Sequence, residues 1–194
     1  MARRLCIIFL TAAGIIPPKI AQEAGMKTEF PFDSKDDPRW QLLETARQRL
    51  AMAASQEKVI EIIRDIARAV VSADGVTFVL REQTQCHYVE EDAIGPLWKG
   101  QKFPMTSCIS GWAMMNNKTA VISDVFADDR IPHAVYRRTF VKSLVMAPVG
   151  FGTPIAAIGA YWRDKPAITQ QEAAAVEAIA ALIGEALTRV RAAA

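Results

Sequence analysis

Cysteine is scarce in this sequence, which has only Cys6, Cys86 and Cys108 among its 194 residues. Three thiols do not make a disulfide framework, so a covalently stapled extracellular scaffold is excluded. We therefore expect a reducing, cytoplasmic compartment.

Neither sign of charge dominates the sequence. Its 23 basic and 21 acidic residues give a net charge of +2. The basic residues form no block or stripe, so the sequence does not predict nucleic-acid binding. No repeat of solenoid period is present. With 51% hydrophobic and 23% charged residues, the composition is that of an ordinary globular protein, and the length suits one domain with a full core.

The N-terminus carries an uncharged run, Leu5 to Ile16, after two arginines. This run resembles the start of a secretory signal, but no convincing cleavage site follows, and it is too short to span a bilayer comfortably. We expect Met26 to be the true start and predict no membrane association. Residues 1–38 are interpreted as a disordered or non-native extension with a linker, and residues 39–194 as the folded domain.

Helix-start signals precede three segments with helical periodicity. Asp37 is followed by Pro38, Ser55 opens a second segment, and Thr169 stands three residues before Glu172 as in a capping box. The apolar residues that then recur at spacings of three and four are Leu43, Ala46, Leu50 and Ala53; Val59, Ile63, Ile66 and Val70; and Val176, Ile179, Ile183, Ala186 and Val190.

Between these helices the pattern changes to short strands, for example the alternation of Val76, Phe78 and Leu80 with their neighbours. Strands are predicted near 76–81, 85–92 and 118–123 and on both sides of a turn at 151–154, with a short helix at 109–117. This order predicts an α+β fold, in which a central, mainly antiparallel sheet carries the N- and C-terminal helices on one face.

The apolar stripe of the last helix is wide enough to do more than cover the sheet. We expect a homodimer in which this stripe packs with Leu43, Leu50 and their neighbours. The stripe is too short for a conventional coiled coil.

Two stretches carry a family resemblance. "ISGWAMMNNKTAVISDVFADDRI", followed by "SLVMAPVGFGTPIAAIGAYW", resembles a GAF domain, and the likeness extends from about Ala51 to Arg191. "HYVEEDAIGPLWKG" together with "CISGWAM" is similar to the GAF domains that precede bacterial histidine kinases of the HWE class. The resemblance implies a PAS-related fold with a pocket between the sheet and the segment Ile94–Phe140.

The resemblance also implies a sensory, non-catalytic module of bacterial signal transduction, such as a two-component system. The expected ligand is an unidentified small molecule. The chain has no phosphoacceptor histidine motif and no ATP-binding glycine loop, so its output is expected through a histidine kinase, another signalling partner or dimer geometry.

The ligand site is expected along the mid-chain segment. His133, Tyr136 and the two arginines that follow offer donors to an anionic ligand, with aromatic walls behind them. Asp124 is expected to cap a turn. The predicted ligand-binding residues are Trp98, Phe103, Cys108, Trp112, Asp124, Phe126, His133, Tyr136 and Arg137.

Cys108 supports an alternative. At a helix N-terminus its thiolate is favoured, and the resemblance includes free methionine-(R)-sulfoxide reductases, which use cysteines near this position. The loop cysteine and strand glutamate of those enzymes are absent here, where His133 to Val135 and Ser143 to Pro148 stand instead. Cys86 replaces the missing cysteine only if its hairpin reaches the loop.

A bilin-binding photoreceptor is the second alternative, because Cys86-His87 resembles a chromophore-attachment pair. The pair lies well before the acidic loop, whereas the family has it after the loop, so no cofactor is expected. Adjacent strand residues point to opposite faces, and the acidic loop, Asp124 to Asp129, lacks calcium-loop spacing. The sequence therefore predicts no metal site.

Overall fold

The computed structural model describes residues 37–165 and 167–193. The predictions about Cys6, Met26 and most of the N-terminal extension lie outside these residues. The helices are α1 (Pro38–Met52), α2 (Gln56–Val71), α3 (Ile109–Asn116), α4 (His133–Tyr136) and α5 (Gln170–Ala192). The strands are β1 (Gly75–Glu82), β2 (Gln85–Ala93), β3 (Lys102–Pro104), β4 (Ala120–Ile122), β5 (Ser143–Val149) and β6 (Ala156–Trp162).

The described strands form one sheet in the order β3-β2-β1-β6-β5-β4, and every neighbouring pair is antiparallel. This confirms the predicted α+β fold. Strand β3 was not predicted, because three residues carry too little pattern. It forms by pairing with β2, where Phe103 lies opposite Cys86.

The three long helices begin at the predicted caps. The Asp37 carboxylate accepts a hydrogen bond from the Arg39 amide at 2.9 Å, and Ser55 Oγ accepts one from the Lys58 amide at 3.2 Å. Thr169 and Glu172 form the predicted capping box. Each cap satisfies amides that have no partner within the helix.

Helices α1, α2 and α5 cover one face of the sheet and bury their apolar stripes against residues such as Phe78 and Ile158. Leu43 and Leu50 belong to this core and are each 2% exposed. One chain already buries both of them, so the predicted seam cannot use these two residues, and the homodimer itself stays a prediction. None of the described helices is both long and apolar enough to cross a membrane.

The opposite face of the sheet is also covered. In β1, Phe78 faces the helices while Val79 packs into a second core beneath α3 and the mid-chain segment. Both faces of β1 are buried, and only the last two residues of the strand are partly or fully exposed to solvent. The second core contains the predicted site.

Candidate functional site

The predicted hollow between the sheet and the mid-chain segment is filled at its centre by aromatic side chains. The ring of Trp98 lies 4.8 Å from that of Tyr136 and 5.6 Å from those of both Tyr88 and Tyr161, measured between centroids. Burial raises the pKa of all three tyrosines. The expectation of a central cavity is therefore corrected, and open space lies in grooves around this aromatic cluster.

The position of Trp98 is fixed by Glu91 of β2. The Glu91 carboxylate accepts hydrogen bonds from the amides of Leu97, Trp98 and Lys99 at 3.1, 2.8 and 2.8 Å. Such charge-assisted bonds are stronger than neutral ones. The sequence analysis did not identify Glu91, because the amides of residues 97–99 reach its carboxylate only when their loop folds back over β2.

The first groove has a volume of about 450 Å³ and lies between the Trp98 loop and α4. Trp98 and Phe103, both predicted site residues, line it. Its charged lining residue is Arg138, whereas the sequence prediction named its neighbour Arg137. The lining residues are Pro96, Leu97, Trp98, Gln101, Phe103, Ala134, Val135, Arg138 and Thr139.

The second groove, of about 470 Å³, contains two other predicted residues, Cys108 and Trp112. The guanidinium of Arg130 lies 4.5 Å from the centre of a Trp112 ring. Asp128 holds that guanidinium at 2.6 Å, and the hydrogen bond from Arg130 lowers the pKa of Asp128. This ion pair fixes one wall of the groove.

The third groove, of about 560 Å³, is lined by Asp124, Phe126 and the cations Lys142, Arg163 and Lys165, with Ser123 and Asp164. The Asp124 carboxylate accepts a hydrogen bond from the Phe126 amide at 2.8 Å, as predicted for a turn cap.

His133 lies next to the third groove, with its ring centroid 5.8 Å from that of Phe126. Its Nε2 is 3.2 Å from the Asp128 carbonyl oxygen. The structure therefore distributes the predicted residues over three grooves and an aromatic centre. It does not collect them in one pocket.

The hairpin places Cys86 in the same core cluster as Cys108, and both are free thiols. Cys108 Sγ is 3.3 Å from Ser110 Oγ, and that hydroxyl is also 3.0 Å from the hydroxyl of Tyr88. His87 lies on the other face of β2, as the strand alternation predicted, and its Nδ1 is 2.7 Å from a carboxylate oxygen of Glu82. Within the described ranges no three His, Cys, Asp or Glu residues cluster as a metal site would require.

Comparison with known proteins agrees with this architecture. The family model of the GAF domain matches residues 53–188. No curated protein matches the sequence. Among solved structures, the free methionine-R-sulfoxide reductase of Neisseria meningitidis, in complex with its substrate, is 16% identical with a TM-score of 0.70 over 86% of this chain and 98% of that chain.

Two further similar structures come from proteins of other kinds. A GAF domain from a phosphoenolpyruvate-protein phosphotransferase of Coxiella burnetii is 11% identical, with a TM-score of 0.70 over 82% of this chain and 98% of that chain. A far-red-absorbing protein with bound biliverdin is 16% identical, with a TM-score of 0.61 over 78% of this chain and 99% of that chain. At these identities the likeness shows a shared fold and transfers no activity. Since the family model covers most of the sequence, the chain belongs to the GAF domain family.

Proposed function

We propose that this GAF domain is a non-catalytic regulatory module that binds a small anionic molecule in the first groove. The observation that carries the proposal is the position of Arg138 at an apolar groove walled by Trp98 and Phe103. In the part of the chain that the structure describes, Arg138 has no ion-pair partner. An unpaired guanidinium beside aromatic walls is suited to a carboxylate or phosphate on an apolar body.

The groove volume of about 450 Å³ falls within the range of small-molecule sites. Gln101 and Thr139 add polar groups to the lining of the groove. A ligand with one aromatic ring and one acidic group satisfies both the walls and the charge. The filled aromatic centre leaves no room for a larger ligand beneath Trp98.

A physical route connects this groove with the helical layer. Trp98 contacts Tyr161 of β6, and the next residue, Trp162, faces the helices on the other side of the sheet. Trp162 Nε1 donates to the Ser72 carbonyl at the end of α2, at 3.0 Å. A ligand that prefers one position of Trp98 shifts the population of helix arrangements through these contacts.

The proposed output uses the helices. We place the domain in the cytoplasm as a homodimer that acts on a histidine kinase or another signalling partner, in the manner of a two-component system. Multi-angle light scattering on the purified protein measures the oligomeric state, and a monomer at all concentrations contradicts the dimer.

The experiment for the groove is an NMR titration of the labelled protein with phenylacetate and indole-3-acetate as probes. We expect shifts in the amides of residues 96–103 and 134–139. Arg138→Ala weakens binding about tenfold or more, since hydrogen bonds to charged groups contribute about 1.5–3 kcal/mol. Arg137→Ala is the matched control, and an equal effect of both variants contradicts the proposal.

A different variant tests the alternative that the protein is a methionine sulfoxide reductase. If the protein reduces free methionine sulfoxide through Cys108, Cys108→Ser abolishes turnover. We expect no turnover in either protein, in keeping with the missing loop cysteine and strand glutamate. The bilin alternative predicts a coloured product on co-expression with a biliverdin supply, and we expect a colourless one.

A further inference from the structure

Cys86 and Cys108 form a pair of buried thiols contributed by different elements. Cys86 lies on β2 opposite Phe103, and Cys108 precedes the first turn of α3. Cys108 Sγ donates to the carbonyl oxygen of Pro104 at 3.5 Å and lies 3.3 Å from Ser110 Oγ. Pro104 follows the residue that pairs with Cys86, so both thiols lie in one buried cluster. A buried free cysteine is usually an inert packing residue, but here two of them lie in one cluster, and one of the two borders a groove.

The two thiols differ in accessibility. Cys108 is 7% exposed and lines the second groove, which opens to solvent between Met105, Trp112 and Arg130. Cys86 is 0% exposed and does not line that groove. A small reagent in the groove therefore meets Cys108 and not Cys86.

We propose that Cys108 is a hydroperoxide-reactive thiol and that Cys86 resolves its oxidised form into a disulfide within the chain. This site lies in the second groove and is independent of ligand binding beside Arg138. Its substrate class is a small hydroperoxide, either hydrogen peroxide or an alkyl hydroperoxide.

The surroundings of Cys108 favour its thiolate, which is the nucleophilic form. The hydrogen bond from Cys86 is the main cause that lowers the pKa of Cys108, opposed by burial and assisted by the Ser110 hydroxyl and the Gly111 amide. The same hydrogen bond, followed by burial, raises the pKa of Cys86. Cys86 therefore keeps its proton while Cys108 reacts.

Few other titratable groups face the pair. The charge of Cys108 acts on Tyr88 of β2, Tyr136 of α4 and Tyr161 of β6, whose pKa values are all raised. Arg81 of β1 acts on Cys86, and Arg130 stands in the groove. The one carboxylate that lines this groove among the described residues is Asp129, next to Arg130. Carboxylates titrate well below thiols, so the pH dependence of the reaction in the thiol range reports mainly on the two cysteines.

The reaction balances in two steps. The Cys108 thiolate attacks one peroxide oxygen, an S–O bond forms, the O–O bond breaks, and the leaving alkoxide takes a proton to become an alcohol, or water from hydrogen peroxide. Cys86 then attacks the sulfur of the sulfenic acid, an S–S bond forms, and the hydroxyl leaves as water with the Cys86 proton. Two thiols are oxidised and one hydroperoxide is reduced.

The test uses the full chain with Cys6→Ser as the parent, exposed to tert-butyl hydroperoxide and followed by intact mass and peptide mapping without reductant. We expect both remaining thiols to disappear together and a Cys86–Cys108 peptide to form in single chains. In Cys86→Ala the reaction stops at one sulfenic acid, trapped by dimedone on Cys108. In Cys108→Ser the oxidation of Cys86 slows about tenfold or more, because Cys86 is buried.

The pH profile of the parent gives a second readout that needs no substitution at Cys86 or Cys108. The rate of peroxide consumption rises with a midpoint below the ordinary value for a thiol, and Ser110→Ala moves that midpoint upward. The proposal is overturned if Cys86 oxidises equally fast without Cys108, if the disulfide joins only separate chains, or if the rate follows an ordinary thiol titration.

Discussion

The hydroxyls of Tyr161 and Thr77 are hydrogen-bonded at 2.8 Å across the β1–β6 pair, and both residues are fully buried. This bond holds the Tyr161 ring over Gly159 on the same strand. Tyr161 and Met146 together occupy the space that a side chain at position 159 would need. The floor of the aromatic cluster therefore depends on a glycine.

We predict that Gly159→Ala is destabilising. The added methyl group meets the Tyr161 hydroxyl and the end of Met146, and such overpacking costs about 1–3 kcal/mol. Chemical denaturation measures the loss in the free energy of unfolding. Gly95→Ala is the matched control, because the same methyl group there finds its nearest neighbour, Phe140, at 3.7 Å. Equal stability of the two variants contradicts the described packing.

A second prediction concerns Ser143, which is fully buried. Its hydroxyl is the one buried side-chain polar atom without a hydrogen-bond partner in the described ranges. Ser143→Ala is therefore expected to raise the free energy of unfolding by about 1 kcal/mol, since an unsatisfied buried hydroxyl is unfavourable. Ser110→Ala, which removes a hydroxyl bonded to Tyr88, is expected to lower it. A change of the same sign in both variants argues against this account.

The third prediction tests how Glu91 positions Trp98. Glu91→Gln loses the charge and one of the two acceptor oxygens, so we expect a fall of about 1–2 kcal/mol in stability. Hydrogen exchange at the amides of Leu97, Trp98 and Lys99 should accelerate, which a global measurement alone does not show. Asp92→Asn is the control, because the Asp92 pair with Arg68 is half exposed and such pairs contribute little. Unchanged exchange in Glu91→Gln rules out the anchoring role.

Acid is predicted to break the ion pair between Asp128 and Arg130 that forms one wall of the second groove. The hydrogen bond from Arg130 lowers the pKa of Asp128, so its stabilising effect is complete above the ordinary value of 3.8 and is lost as pH falls through the lowered value. The NMR signal of the Trp112 indole should then move, because Arg130 no longer lies over the ring. In Asp128→Asn the signal should already be displaced at neutral pH and show no acid step. An acid step of the same size in that variant contradicts the assignment.

Local signals predicted the framework of the fold well. The caps at Asp37, Ser55 and Thr169 are made by residues within three positions of their partners, so the sequence alone contains the interaction. The mainly antiparallel sheet was predicted from strands in the middle of the sequence and helices at its ends, whereas the order of the strands was not predicted. Strand β3 was missed because its three residues form a strand only through pairing with β2.

The site was predicted less completely, because its arrangement depends on contacts distant in sequence. Trp98 was expected as a pocket wall, but contacts with Tyr136 and Tyr161 place it at a filled centre. The choice between Arg137 and Arg138 depends on the direction in which a single helical turn, α4, presents adjacent residues. No periodicity in so short a segment indicates that direction.

The central claim is that the groove beside Trp98 holds a small anionic molecule and transforms nothing. Native mass spectrometry of the protein purified from its own source tests this most directly, with Arg138→Ala and Arg137→Ala prepared in parallel. We predict a bound acidic molecule on the parent and on Arg137→Ala that is lost from Arg138→Ala. A parent without added mass, or a ligand retained equally by Arg138→Ala, would contradict the account.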